Sequence, residues 1–344
     1  MIGVVLETLL YIIAYPPLWQ VLIVGFAGAL LVAMVAIWFE RKAAARVQRR
    51  IGPYWASPRL GGFMTIVADM IRYVTQQVII PFTVDRLAFI VTPVAVLVIT
   101  ILPLAFVPLS PHEIYWPVAS MEYSLLIALA LTTLPPLLTV VLGWASSNKF
   151  SVIGSLRESY VITAYELVAI LALLAPAAAT LSFNIAYIVE AQHPIKWFAI
   201  LNPLAFLAAF LAILMSTSAF PFEIPESEHE VVAGPYTEYS GILYALNMGG
   251  GYIRRFIYAM LVALVFLGGW APYTPGSGPL TGFIVPSLIV LIKACLIVFA
   301  MSFLRSVYGR YRLDQALDAA WRLALPLALL GLGWSIVLAY VNLI

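Results

Sequence analysis

Long apolar runs separated by short charged stretches constrain the fold of this chain more than any other feature. A helix needs roughly 20 apolar residues to cross a hydrocarbon core of about 30 Å. The chain is 63% hydrophobic and 10% charged, with a mean hydropathy of +1.02, which excludes a soluble globular domain. The runs that could cross a membrane are residues 18–39, 88–109, 122–143, 159–181, 198–219, 253–271, 281–304 and 323–343. They predict an all-α, polytopic membrane protein with about eight transmembrane helices and amphipathic cytoplasmic helices, in a single integral membrane domain over residues 1–344.

Basic residues accumulate in every second loop between these runs. The loop after the fifth run reaches Arg254 and Arg255, whereas the alternate loops contribute only Lys196. Because Lys and Arg are enriched in cytoplasmic loops, both termini are expected outside. The loops expected on the cytoplasmic side are 40–87, 220–252 and 305–322. Within segment 1–17, an apolar window either extends the first span or lies at the membrane interface.

Segment 58–77 repeats apolar residues at helical spacing, with Asp69 and Arg72 elsewhere on the wheel. The pattern predicts an amphipathic helix in the first cytoplasmic loop. Such a helix either rests at the lipid headgroups or borders a cavity that opens at the membrane surface, and the pattern is compatible with both.

Residues that could hold a metal or cofactor are scarce. The one cysteine, Cys295, lies in an apolar run, and His112, His193 and His229 are scattered along the sequence. No metal site is therefore expected, and the chain carries no flavin or nucleotide fingerprint. Electrons would have to arrive from partner proteins that carry iron–sulfur clusters or flavin. Nucleic acid is not expected among the partners.

Carboxylates cluster in one loop of this weakly charged chain. Five of its sixteen acidic residues fall between positions 223 and 238: Glu223, Glu226, Glu228, Glu230 and Glu238. A helix beginning at Pro225 would bring three of them to one side, where like charges raise the pKa of some members and permit proton sharing. The interleaved apolar residues favour an interior function, and a solvated or docking surface is the alternative.

Two ionisable residues lie inside apolar runs, Glu166 in the fourth and Lys293 in the seventh. An ionisable side chain at such depth needs a partner or water. The pair could meet and fix helix packing, or Glu166 could belong to a proton or ion path. Tyr165 beside Glu166 and the carboxylate-rich loop favour the path.

Four stretches between the apolar runs carry a resemblance to a known family. They are WFERKAAARVQRRIGP at 38–53, IVADMIRYVTQQVIIPFTVDRLAF at 66–89, PFEIPESEHEVVAGPYTEYSG at 221–241 and RSVYGRYRLDQALDAAWRLALPL at 305–327. From about residue 18 to its end, the chain resembles the H subunit (mitochondrial subunit 1) family of respiratory complex I, the NADH-quinone oxidoreductase. Arg72 stands where that family usually has Lys, and Glu223 where it usually has Asp.

The resemblance implies a subunit at the junction of the membrane arm with the peripheral redox arm, in the plasma membrane of a prokaryote with the redox arm on the cytoplasmic side. Quinone would be the substrate, and the partners would be peripheral-arm redox subunits, other membrane-arm subunits and the lipid bilayer. The residues implied for the quinone chamber or the peripheral-arm contact are Arg41, Arg46, Arg49, Asp69 and Arg72. Those implied for an acidic path that couples quinone reduction to proton translocation are Glu166, Glu223, Glu226, Glu228, Glu230 and Glu238. Structural or charge-balancing roles are implied for Lys293, Arg305 and Arg310.

One departure from the family pattern concerns the stretch before the acidic loop. Ser216 and Ala219 stand where the family commonly has Glu and Arg, which puts ordinary quinone chemistry in question. The segment 234–241 is closer to the anchor subunit of membrane-bound, ion-translocating hydrogenases or related ferredoxin-dependent complexes, which are the alternative function. A free-standing secondary transporter is the third hypothesis, disfavoured because no inverted repeat is visible.

Overall fold

The structure is a computed structural model that describes residues 27–111, 120–194, 196–218, 221–276 and 280–341. These residues form helices, turns and loops and contain no strand. The prediction of an all-α, polytopic membrane protein is therefore confirmed. Segment 1–17, His112 and Ala219 lie outside the described residues.

Fourteen α-helices are assigned within the described residues. They are α1 (Gly28–Val47), α2 (Met64–Thr75), α3 (Arg86–Ile101), α4 (Ser124–Thr132), α5 (Leu134–Ala145), α6 (Lys149–Thr180), α7 (Ile185–Ala191), α8 (Phe198–Leu201), α9 (Pro203–Ser216), α10 (Glu228–Val231), α11 (Gly241–Val265), α12 (Val285–Val307), α13 (Leu313–Asp318) and α14 (Leu325–Tyr340).

Six helical stretches of the described chain are long and apolar enough to cross a membrane. They are Arg86–Ala105, Ser124–Ala145, Lys149–Thr180, Gly241–Val265, Thr281–Val307 and Leu313–Tyr340. The fifth predicted run, 198–219, forms the short α8 and the 14-residue α9, and a helix of that length extends only about 21 Å. The first predicted run, 18–39, is described only from residue 27.

Helix α11 lies at the centre of the bundle and packs against α1, α2, α3 and α12. Every side chain from Ile253 to Val265 is buried. The N-terminal half of α11 contains three consecutive glycines, Gly249 to Gly251, and the polar Asn247. This half is only partly buried and lines all three of the spaces described below. The sequence pattern placed residues 241–252 in a loop, and the structure corrects this.

The second packing centre is α6, against which α5, α9 and α14 lie. Small residues at the contact let these backbones approach closely; those of α9 are Ala205, Ala208, Ala209 and Ala212, all fully buried. The Asn202 side chain accepts a hydrogen bond from the Ala205 amide and donates to the Gly331 carbonyl at 2.7 Å. This contact joins the start of α9 to α14.

The amphipathic segment 58–77 forms the 12-residue helix α2 together with the turn before it. Helix α2 packs against α11 and α1. Its residues Ile66, Asp69 and Tyr73 line a pocket between these helices. Helix α2 therefore borders a cavity, and its exposed apolar residues Ile71 and Val74 are also compatible with contact to the lipid headgroups.

Lys293 and Glu166 do not meet. The Lys293 ammonium donates at 2.7 Å to three carbonyl oxygens, those of Leu267, Gly269 and Ala271. It thereby anchors the loop after α11, whereas Glu166 pairs elsewhere. The possible Glu166–Lys293 pair was therefore wrong, because a closed turn of backbone carbonyls gives the ammonium its partners.

Close packing of α14 on α9 predicts opposite effects for two glycines of one helix. A Cβ at Gly331 would lie 2.7 Å from the Ala205 amide nitrogen, whereas a Cβ at Gly333 would meet nothing within 4 Å. Gly331→Ala should therefore destabilise the purified complex by about 1–3 kcal/mol through overpacking. Gly333→Ala is the matched control and should be neutral or slightly stabilising. Equal thermal unfolding midpoints for the two variants would contradict this packing.

Candidate functional site: two charged cavities and an apolar pocket around helix α11

The inner cavity lies between α3, α5, α6 and α11. Its volume is about 60 Å³, which is room for a few water molecules. Its polar lining includes Glu158, Ser216, Glu226, Asn247 and Arg254. Three buried atoms here have no hydrogen-bond partner among the described residues: Oε2 of Glu158, Oδ1 of Asn247 and Nε of Arg254. Such a polar cavity suits bound water.

A buried ion pair joins α6 to α11 beside this cavity. Arg254 donates through Nη2 to Oε1 of Glu166 at 2.8 Å, and the Tyr258 hydroxyl donates to Oε2 at 3.3 Å. Arg254 also donates through Nη1 to the Ser216 carbonyl at 2.6 Å. Three helices, α6, α9 and α11, are therefore held around one guanidinium.

The outer cavity is larger, about 570 Å³, and carries the charged loop. Its lining includes Glu223, Glu226, His229, Tyr236, Arg305 and Arg310. Glu226 and Tyr236 line the inner cavity as well. These two side chains therefore form the boundary between the outer and inner cavities.

Burial controls the protonation of the loop carboxyls. Burial, followed by the charges of Glu223 and Glu158, raises the pKa of Glu226 to about 8. Burial also raises the pKa of Glu223, although Arg305 opposes the shift. Burial raises the pKa of the Tyr236 phenol well above its usual value. The boundary between the cavities therefore carries a carboxyl that is poised to exchange a proton near neutral pH.

The other loop glutamates lie away from this boundary. The exposed Glu230 pairs with Arg157 and with Arg310, and the Arg157 hydrogen bond lowers the pKa of the Glu230 carboxyl. Glu238 accepts a hydrogen bond from the Asn148 side chain. The side chain of Glu228 lies outside what the structure describes.

The expected helix from Pro225 is replaced by the single turn α10, Glu228–Val231. The chain from Pro221 to Ser227 is mostly buried and runs without helix. Gly234 comes so close to Pro225 that a Cβ there would lie 1.9 Å from the Pro225 carbonyl oxygen. The tight fold of the loop onto itself therefore separates Glu226 from Glu230.

A second buried network links α1, α11 and α12. Glu40 pairs with Arg255 at 3.5 Å and with Arg305, and Arg305 reaches Glu223 of the loop at 3.7 Å. The Arg255 guanidinium also lies over the Tyr252 ring, 5.0 Å from its centroid. Arg254 and Arg255 were expected at the cytoplasmic edge of the run 253–271, and the structure places them inside α11 with different acidic partners.

The apolar pocket, about 380 Å³, lies between α1, α2, α3 and α11. Its walls are chiefly aliphatic and include Ile66, Met70, Leu97, Leu246 and Met248. Met248 also lines the outer cavity, so the two spaces adjoin. A cleft of this size and lining suits an apolar ligand with a small polar group.

The residues implied for a quinone chamber divide into two groups. Arg41 and Asp69 line the apolar pocket and form an ion pair at 2.8 Å. Arg72 is exposed and lies 3.7 Å from Asp69. Arg46 and Arg49, at the C-terminal end of α1 and just beyond it, are exposed and do not line this pocket.

The sequence interpretation missed four buried charges near the site: Glu40, Glu158, Arg254 and Arg255. Glu158 had a usable signal, because residues eight apart on a helix lie roughly on one side and Glu166 was already identified. The arginines had no such signal, because at the start of the run 253–271 they were counted among the basic residues of the adjoining cytoplasmic loop. In the described part of the chain, no three His, Cys, Asp or Glu side chains are grouped to hold a metal ion.

The raised pKa of Glu226 gives a testable titration. In infrared spectra of the purified complex, the band of its protonated carboxyl should disappear with a midpoint near pH 8 and should be missing in Glu226→Gln. Glu230→Gln is the matched control and should leave the band in place, because Arg157 favours the ionised form of Glu230. A midpoint near the ordinary 4.5 would contradict the burial of this carboxyl.

Comparison with known proteins gives a consistent result. The family model described as NADH dehydrogenase matches residues 19–336. The H subunit of the F(420)H(2) dehydrogenase of Methanosarcina acetivorans is 33% identical, over 91% of this chain and 92% of the relative. The H subunit of the NADH-quinone oxidoreductase of Geobacillus thermodenitrificans is also 33% identical, over 92% and 94%. That of Carboxydothermus hydrogenoformans is 32% identical, over 86% and 82%. The chain therefore belongs to the NADH dehydrogenase family of H subunits, as a multi-pass membrane component of a complex I type oxidoreductase assembled from several different chains.

Proposed function

We propose that the apolar pocket and the outer cavity together form a quinone chamber. The observation that carries this proposal is their junction at Met248, which joins an aliphatic space to a charged one. An isoprenoid quinone has the same two parts, an apolar tail and a polar head group. The tail would lie along α2 and α11, and the head group would reach toward the outer cavity.

The chain itself supplies no redox centre for the reaction. Iron–sulfur clusters and flavin on peripheral-arm subunits would deliver the electrons, and the quinone would accept them as substrate. The Arg41–Asp69 pair at the apolar pocket, together with the exposed Arg46, Arg49 and Arg72, would support the chamber and the contact with those subunits. The basic loops favour a cytoplasmic position for this face in a prokaryotic plasma membrane.

Proton translocation would be coupled to quinone reduction through charge. A change of charge in the chamber acts on Glu223 through Arg305 and on Glu226 through Glu223. Protonation of Glu226 would then bias the helices around the inner cavity, so that the two sites are coupled in free energy. Glu166, Glu228, Glu230 and Glu238 are the further members proposed for the acidic path. Glu230 and Glu238 would act mainly by holding the loop in place.

Filling the apolar pocket tests the chamber directly. A Cβ at Gly249 meets nothing within 4 Å, and Gly249 lines this pocket. Gly249→Leu should therefore raise the KM for quinone by about tenfold, which corresponds to roughly 1.4 kcal/mol of lost binding. Turnover with a soluble artificial acceptor at the peripheral arm should be unchanged. Gly333→Leu is the matched control on an exposed helix face, and an equal quinone KM in the two variants would contradict the chamber.

The electron donor distinguishes this function from its alternative. NADH-quinone oxidoreductase and F(420)H(2) dehydrogenase subunits are equally similar to the chain. Ser216, in place of an acidic residue, keeps a hydrogenase or ferredoxin-dependent complex as the second candidate. Assays of the purified complex with NADH, F(420)H(2) and reduced ferredoxin, each with and without quinone, would separate these functions. Hydrogen evolution that is insensitive to quinone-site inhibitors would overturn the quinone chamber.

A further inference from the structure

Glu158 is a buried carboxylate that the proposed acidic path does not include. It lies on α6, is 4% exposed and lines the inner cavity. The Tyr165 hydroxyl donates to its Oε1 at 3.0 Å, and its Oε2 has no hydrogen-bond partner among the described residues. A carboxylate with a purely structural role would be expected to use both oxygens, because an unpaired buried polar atom is costly.

The neighbouring Glu166 differs in this respect. Arg254 occupies one of its oxygens and Tyr258 the other, so neither oxygen is available to the cavity without breaking a contact. Arg254 also keeps one buried atom, Nε, without a partner among the described residues. The inner cavity therefore contains one carboxylate oxygen ready to accept a proton and one guanidinium N–H to balance its charge.

We propose that Glu158 is the inner proton-holding residue of the coupling path and that Arg254 is its counter-charge. The inference deepens the proposed function and rests on it. Glu226 would release its proton to a cavity water, and the water chain would pass a proton to Oε2 of Glu158. Protons are conserved in this step, and neither an oxidant nor a reductant is required.

The groups around Glu158 are compatible with this role. Its titratable and charged neighbours are Tyr165 and Glu166 from α6, Arg254 from α11, and Glu226 and Tyr236 from the loop. Arg254 acts on both Glu158 and Glu166, whereas Glu226 also faces Arg255 and Arg305. One guanidinium shared by the two carboxyls of α6 favours a state in which one of them carries a proton. Glu158 and Glu226 both line the inner cavity, and water bound there would connect these two acids.

The decisive variant is Glu158→Gln in the intact complex reconstituted into vesicles. The amide oxygen can still accept the Tyr165 hydrogen bond, but the side chain can no longer take up a proton. Loss of a positioned acid or base slows proton transfer by about a hundredfold or more, so proton translocation per electron should be largely lost, and Glu158→Asp should restore part of it. Glu190→Gln is the matched control, since Glu190 is exposed on α7, away from the inner cavity, and it should translocate protons like the parent.

An infrared measurement keeps the proposal testable independently of turnover. The reduced-minus-oxidised spectrum of the parent should contain a carboxyl band that is absent in Glu158→Gln and present in Glu190→Gln. In Arg254→Lys the band should persist at a shifted frequency. If Glu158→Gln fails to assemble, a shifted band in Glu158→Asp gives the same support, and an unshifted one contradicts it.

Failure of the quinone function and failure of the role of Glu158 would give different results. A parent complex that transfers no electrons to quinone would overturn the proposed function. A parent that reduces quinone and translocates protons, with a Glu158→Gln variant identical to it in translocation and carboxyl spectrum, would overturn only the role of Glu158.

Discussion

The neutralisation of two adjacent arginines by glutamates from different helices is the interaction that positions the rest of this bundle. Arg254 pairs with Glu166 of α6, and Arg255 pairs with Glu40 of α1. A charge at the centre of a bilayer costs about 3 kcal/mol on insertion scales, and removing one partner of a buried pair costs about 3–5 kcal/mol. The helix that carries both arginines is therefore confined to a position where both partners can reach it.

This confinement explains why three cavities meet around α11. The apolar pocket adjoins the outer cavity at Met248, and the outer cavity adjoins the inner one at Glu226 and Tyr236. The three spaces thus follow one another from the aliphatic pocket through the charged outer cavity to the polar inner cavity. This order gives a physical basis for coupling a reaction in the apolar pocket to a proton in the inner cavity.

The departure from the family pattern at Ser216 and Ala219 also has a structural counterpart. Ser216 lines the inner cavity and offers only its carbonyl to Arg254. Glu158 and Arg254 bring a carboxylate and a guanidinium to the same cavity from α6 and α11. The space beside the serine therefore keeps both signs of charge, although neither comes from the stretch in which the family usually carries them.

Fold class and family could be predicted from the order of the amino acids alone, as could the candidates Glu223 and Glu226 that line the outer cavity. Apolar runs of membrane-crossing length leave a chain few alternatives to helices, because backbone polar groups must be satisfied within lipid. The amphipathic spacing of segment 58–77 likewise appears in the structure as α2. These are local properties, and periodicity and composition report them directly.

Which charges meet depends instead on how the helices pack. Residues 241–252 extend α11 beyond the predicted run 253–271, so Arg254 and Arg255 lie within the helix and not at its cytoplasmic edge. The pairing of Glu166 with Arg254 rather than Lys293, and the separation of Glu226 from Glu230, follow from contacts between residues distant in the chain. Which charged side chains pair depends on the distance between them and on their burial in the folded protein. The spacing of residues along the sequence specifies neither quantity.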